Sequence, residues 1–235
     1  MNASGLAYSR KRKSLFLVVN RPPEIVELNL KGRVNRRIAL SGFDYTEGIT
    51  WIDGDWFAVV EERRGNLIVI EIAADTKSID YAQGSKFSVD SAPLGNLGLE
   101  GLAYDSAEKR FFVVKEMVPK KIYEVRLPAR KNDVAEATIP WDMEETGFGL
   151  KDLSGVHCDA RTGHLLILSH ESKCVVECTV DGREISRLYL EEGTAGLDHS
   201  FRQTEGITMD KKGNLYICGE PNAFHVFARK HRLRF

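Results

Sequence analysis

Five short, near-continuous apolar runs punctuate the chain: Leu15–Val19, Trp56–Val60, Phe111–Val114, Leu165–Leu168 and Leu215–Cys218. Runs this short, bounded by turn residues, predict strands covered on both faces rather than helices. After each comes an alternating run: Glu24–Leu30, Leu67–Ile72, Lys121–Leu127, Cys174–Val180 and Ala223–Phe227. Alternation predicts a strand farther from the centre, with one wetter face. Fourth, outermost strands are weaker, the clearest being Arg37–Leu40 and Ile185–Leu190. No segment longer than a turn or two has helical periodicity, which argues against a parallel α/β fold.

One phrase precedes every apolar run: Ser4-Gly5-Leu6-Ala7-Tyr8, Glu47-Gly48-Ile49-Thr50-Trp51, Glu100-Gly101-Leu102-Ala103-Tyr104, Ser154-Gly155-Val156-His157-Cys158 and Glu205-Gly206-Ile207-Thr208-Met209. The glycines stand 43, 53, 54 and 51 residues apart, the period of one four-stranded propeller blade. Turns rich in Gly, Asp and Asn, such as Asp53-Gly54-Asp55 and Lys212-Gly213-Asn214, separate phrase from run and supply the dihedrals of tight hairpins. The chain therefore reads as a single all-β domain over 1–235, a five-bladed β-propeller with blades starting near residues 4, 47, 100, 154 and 205. A two-sheet sandwich is the structural alternative, but it does not account for a fivefold phrase. The repeat glycines let first strands crowd around a narrow axis. With no strand before Ser4, the last blade is expected to be compromised, either closed by the tail His231–Phe235 or short of residues upstream of Met1.

Charge adds a local picture. The 33 basic and 34 acidic residues nearly cancel, so no global field draws the chain to nucleic acid or to an anionic membrane. No apolar stretch long enough to cross a membrane occurs. Cys158, Cys174, Cys178 and Cys218 read as buried free thiols; Cys174 and Cys178, four apart on one strand, would stand about 13 Å apart, too far for a disulfide.

The chemistry concentrates at two repeating positions. Before the repeat glycine stand Ser4, Glu47, Glu100, Ser154 and Glu205, and near the end of the second strand stand Asn20, Glu62, Glu116, Glu171 and Glu220. First and second strands form a hairpin, so the start of one lies beside the end of the other. Both sets then face one mouth of the channel. Buried like charges must be compensated or protonated. Arg21, Arg63, Lys115 and Lys173 are candidate partners for the second set, backbone N–H groups are another, and a hard cation on the axis is a third. Calcium suits an all-oxygen, flexible ring better than magnesium does. The structural alternative is that these glutamates tie blades together through hydrogen bonds and ion pairs. His199, in the loop leading to Glu205, is a further candidate ligand contact. Ser169-His170-Glu171 holds triad residue types, but strand neighbours point to opposite faces. Arg10–Lys13 reads as a solvated hairpin tip.

The ordered set Leu99-Glu100-Gly101-Leu102-Ala103-Tyr104, Leu168-Ser169-His170-Glu171-Ser172, Gly196-Leu197-Asp198-His199 and Gln203-Thr204-Glu205-Gly206 through Gly219-Glu220-Pro221-Asn222 resembles the SdiA-regulated family of bacterial propellers. Asn20-Arg21-Pro22-Pro23 and Ile25-Val26-Glu27 fit the same pattern. The resemblance implies a five-bladed propeller, distantly similar to NHL-repeat proteins, with a calcium site. It also implies a place in the cell envelope if an anchor precedes this chain. Two functions are consistent with it: a calcium-stabilised module that binds a protein or small-molecule ligand, or a calcium-dependent hydrolase of a lactone or phosphoester.

Overall fold

The computed structural model describes residues 2–89, 98–116, 119–128 and 135–229. Its strands fall into five sheets, antiparallel but for one added edge strand, which form the blades of a β-propeller. Blade 1 holds β1 (Ala3–Ser9), β2 (Ser14–Asn20), β3 (Pro23–Leu28) and β4 (Val34–Ser41). Blade 2 holds β5 (Thr46–Asp53), β6 (Trp56–Glu61) and β7 (Asn66–Glu71), then, after β8 (Ser78–Asp80), β9 (Ser85–Ser88). Blade 3 holds β10 (Leu99–Asp105), β11 (Arg110–Lys115), β12 (Lys121–Arg126) and β13 (Glu136–Thr138). Blade 4 holds β14 (Gly155–Asp159), β15 (His164–Ser169), β16 (Cys174–Cys178) and β17 (Glu184–Tyr189). Blade 5 holds β18 (Thr204–Met209), β19 (Leu215–Gly219) and β20 (Ala223–Phe227). No α-helix occurs among the described residues, only a single 3-10 turn at Tyr81–Gln83.

The second strands are the apolar runs, and they are buried along nearly their whole length. Sandwiching between neighbouring blades removes both faces from water, so alternation has nothing to select for. Five separate hydrophobic cores result, one between each pair of adjacent blades. Phe16, Val18 and Ile25 of blade 1 meet Phe57, Val59 and Ile68 of blade 2. The fifth core joins Leu6, Leu15 and Leu17 of blade 1 to Tyr216 and Cys218 of blade 5, so packing closes the ring. All four cysteines are buried and free.

One feature departs from the sequence reading. The segment leaving β7 lends β8 to the edge of blade 1, where it runs parallel to β4 and latches the first two blades. Blade 5 has three strands among the described residues, and the tail His231–Phe235, one of the two ways of completing it that the sequence offers, lies outside them.

The repeat glycines sit where blades touch. A Cβ on Gly5 would lie 2.5 Å from the Glu47 carbonyl oxygen, one on Gly48 2.7 Å from that of Glu100, and one on Gly155 2.8 Å from that of Glu205. On Gly206 it would lie 2.8 Å from the Leu6 amide nitrogen, which returns the circuit to blade 1. No side chain fits at such distances, so glycine at these positions is what lets the inner strands approach.

Candidate metal centre

The innermost strands β1, β5, β10, β14 and β18 are each the edge of their sheet. In four of them the ladder slips at the repeat position: between Ala3 and Gly5, Thr46 and Gly48, Leu99 and Leu102, and Thr204 and Gly206. Each bulge leaves Ser4, Glu47, Glu100 or Glu205 out of register. A bulge breaks the alternation of side chains and re-aims the extra residue. That is how a residue next to an inter-blade glycine can turn away from the blade interface.

Hairpin geometry places the second set at the same end. The amide of Asn20 donates to the Asn2 carbonyl at 3.3 Å, Glu62 to Tyr45 at 2.9 Å, Glu116 to Gly98 at 3.4 Å and Glu220 to Gln203 at 2.9 Å. In every case the acceptor lies two residues before the ring position. Blade 4 corrects the sequence reading. There Gly155 pairs with Leu168, so the residue in register with Glu62 and Glu220 is His170, not Glu171. Glu171 is one place farther along, in the exposed turn, because its spacing from the glycine is longer than in the other repeats.

Blade 4 also holds a carboxylate that the repeat pattern did not mark. Asp152 stands two residues before Ser154, fully buried. It accepts hydrogen bonds from the Ser169 hydroxyl, from the His170 amide at 3.2 Å and from the Glu171 amide at 3.0 Å. Its side chain thus does for β15 what a backbone carbonyl does elsewhere. Glu61 is a second missed carboxylate. It is fully buried and holds the approach to Glu47 by accepting from the Asp44 amide at 2.8 Å and from Arg64 at 3.0 Å. That approach is strained: Tyr45 has φ +48°, and its counterpart Gln203 has φ +34°. Strain of this kind persists only where surrounding structure enforces it, and it gathers at functional sites.

The carboxyls feel one another. Burial, first of all, pushes Glu47 up to about 7, against hydrogen bonds from Asn20 and Ser4, with Glu62 and Glu220 adding repulsion. Glu205 is pushed up to about 8 by burial and then by Glu47, Glu220, Glu116 and Asp152. Glu100 stands well above the usual carboxylate range because of burial and the fields of Glu47, Glu116, Glu205 and Glu62. Burial also raises Glu62 and Glu116. The three first-strand glutamates therefore share one electrostatic neighbourhood, as do Glu62, Glu116 and Glu220.

Of the basic residues expected as partners, Arg63 acts on Glu62 through its charge. Ion pairs among the described residues reach none of Glu47, Glu62, Glu100, Glu116, Glu171, Glu205 and Glu220, and Lys115 and Lys173 form none. The guanidinium groups of Arg21 and Arg63 lie over the Tyr45 ring, 4.6 and 3.5 Å from its centre. Asn20 donates through Nδ2 to Glu47 Oε1 at 2.9 Å, while its own Oδ1 is buried without a partner, as is Thr204 Oγ1 beside Glu205. Unsatisfied oxygens next to crowded carboxyls are what a hard cation would satisfy. No three acidic, histidine or cysteine side chains among the described residues converge on one point at ligating distance.

His199 is exposed, in the loop between β17 and β18. It lines two clefts beside the mouth, of about 590 and 580 Å³. The first includes His170 and Lys173, the second Glu220, Phe224 and His225.

Solved structures share the architecture. The chain matches a regucalcin from Agrobacterium tumefaciens, described as a calcium-binding protein, at 16% identity and a TM-score of 0.56, covering 94% of this chain and 83% of that one. It matches a gluconolactonase from Xanthomonas campestris at 14% identity and a TM-score of 0.54, covering 96% and 85%. A chain of a nidogen–laminin complex matches at 14% identity and a TM-score of 0.55, covering 92% and 72%. Likeness at this identity establishes the fold alone. The sequence itself goes further: residues 1–228 match the model of the SdiA-regulated family, and the chain belongs to that family.

Proposed function

We propose that this propeller binds calcium at the Glu47–Glu100–Glu205 mouth and uses the loaded face as a ligand-binding module. The observation that carries the reading is the set of three glutamates from three blades, Glu47 buried and Glu100 and Glu205 half-buried, without ion-pair partners among the described residues, beside the orphaned Oδ1 of Asn20. Every candidate donor is a hard oxygen, and calcium takes six to eight of them in flexible geometry. Asn20, Ser4 and Ser154 would complete the ring, with Glu62, Glu116 and Glu220 in a second ring and His170 and His199 in the clefts beside it. A calcium-binding protein and a lactonase among the structural neighbours are consistent with this.

The clefts on either side of His199 support a small molecule as the ligand, and they keep a second reading in view. In that reading the ion would polarise a lactone or phosphoester, and His199 or Glu220 would face the substrate. Thermal unfolding in calcium, magnesium and chelator tests the proposal. A ligand at a hundredfold excess over Kd stabilises by about 2.7 kcal/mol, a rise of roughly 5–10 °C for a domain of this size. Calcium should give that rise, magnesium less, and Glu100→Gln should remove most of it. Equal melting in calcium and chelator would overturn the reading.

A further inference from the structure

The inner strands begin at the acidic mouth and end at the opposite one. Residues that follow the repeat glycines on all five blades enclose a cavity of about 60 Å³ there. One water needs roughly 10–15 Å³ on this measure, so the space admits a small polyatomic group. Trp51 and Tyr104 contribute ring surface, and Arg10, His157 and Lys211 contribute nitrogen.

Charge at this mouth is one-sided in availability. Two carboxylates line it, and both are committed to their own turns. Asp159 is held by Arg161, with contacts at 3.1 and 2.6 Å. Asp210 accepts from the Lys212 and Asn214 amides at 2.8 and 2.9 Å, from Asn214 Nδ2 at 2.8 Å and from the Tyr216 hydroxyl at 3.1 Å. Arg10 and Lys211, by contrast, form no hydrogen bond or ion pair with any described residue, and neither does the imidazole of His157. The charges of Asp159 and then Arg10 act on His157, and those of Asp210 and then Arg10 on Tyr8, so Arg10 is within reach of the cavity wall. Two free cations around a neutral N–H donor lack only an acceptor that offers several oxygens.

We propose that this second mouth binds a tetrahedral oxyanion, a phosphate or sulfate group, held by Arg10, Lys211 and the His157 ring. Arg10 and Lys211 supply the charge-assisted bonds, and His157 at the cavity wall fixes the orientation. Burial pushes His157 down to about 4, with Asp159 opposing the shift and Arg10 adding to it. A bound anion raises it, because the imidazolium then gains a partner.

Histidine ring signals of the full chain report the site directly, with His157 assigned from the spectrum of H157Q. Inorganic phosphate should shift His157 saturably at constant ionic strength, where chloride does not, and should raise its titration midpoint. His170 and His199, at the acidic mouth, should not respond. Sulfate, of similar shape and charge, should compete. R10Q and K211Q lie in exposed turns, and each should weaken phosphate binding about tenfold, with melting curves showing that both proteins fold. The proposal is overturned if His157 ignores phosphate, if sulfate fails to compete, or if the double variant binds phosphate as the wild type does. Any of these results leaves the acidic mouth untouched.

Discussion

Raising the pH should destabilise this protein in chelator, and calcium should cancel the effect. Glu47 and Glu205 titrate at about 7 and about 8 in the folded chain, against 4.5 for an ordinary glutamate. The folded state therefore holds protons that the unfolded state has already released. A carboxyl raised in this way contributes stability that is complete below 4.5 and is lost as pH rises through the folded value. His157 opposes the trend at lower pH: it is depressed from 6.5 to about 4, so its term rises between those values and is flat above them. The clean window is pH 6.5 to 8. Integrating the proton difference there at 1.36 kcal/mol per unit gives roughly 2 kcal/mol from Glu47 and Glu205, and Glu100, raised in the same direction, adds to it. At 2–4 °C per kcal/mol, the melting temperature should fall by about 4–8 °C or more. Calcium requires the deprotonated carboxylates, so in saturating calcium the fall should vanish or reverse. Calorimetric melts at four or five pH values, with and without calcium, give the slopes. A flat or rising profile in chelator would refute the reasoning, as would an unchanged slope in a Glu47→Gln, Glu205→Gln protein.

Other parts of the account are open to simpler tests. Gly48→Ala should cost about 2–4 kcal/mol in urea unfolding, because its Cβ would sit 2.7 Å from the Glu100 carbonyl oxygen and 2.9 Å from the Leu102 amide nitrogen. Asp152→Asn should destabilise by about 1–3 kcal/mol, since an amide cannot accept all three of its hydrogen bonds through charged oxygens. Cys158, Cys178 and Cys218 are each pushed by burial up to about 12. A thiol reagent at pH 8 should leave them unmodified in the native protein and label them only after unfolding.

The repeat made most of the fold legible. The phrase before each apolar run located β1, β5, β10, β14 and β18, and turn chemistry located the hairpins after them. The strand β8 left no such signal, because Ser78–Asp80 is three residues long and pairs across blades. Site legibility divided in the same way. Spacing from the glycines marked Glu47, Glu100 and Glu205, while nothing in spacing marked the bulges that re-aim them. Backbone register, not residue type, decided that His170 and not Glu171 aligns with Glu62 and Glu220. The lone carboxylate in Lys151-Asp152-Leu153-Ser154, where other repeats carry Asn2, Tyr45, Gly98 or Gln203, was the available sign of Asp152. Of the basic residues that the sequence offers as partners, Arg21 and Arg63 lie over Tyr45, and from there the charge of Arg63 still acts on Glu62.

Crystals grown in calcium, with diffraction recorded to reveal its anomalous scattering, test the central claim most directly. The account predicts one strong peak at the axis, bounded by Glu47, Glu100 and Glu205, with Asn20 Oδ1 among its ligands, and no peak in Glu100→Gln crystals. Water in the remaining coordination positions, open toward the His199 clefts, would favour the hydrolase reading over the binding module. An empty acidic mouth at saturating calcium, or a peak that survives Glu100→Gln unchanged, would contradict the account.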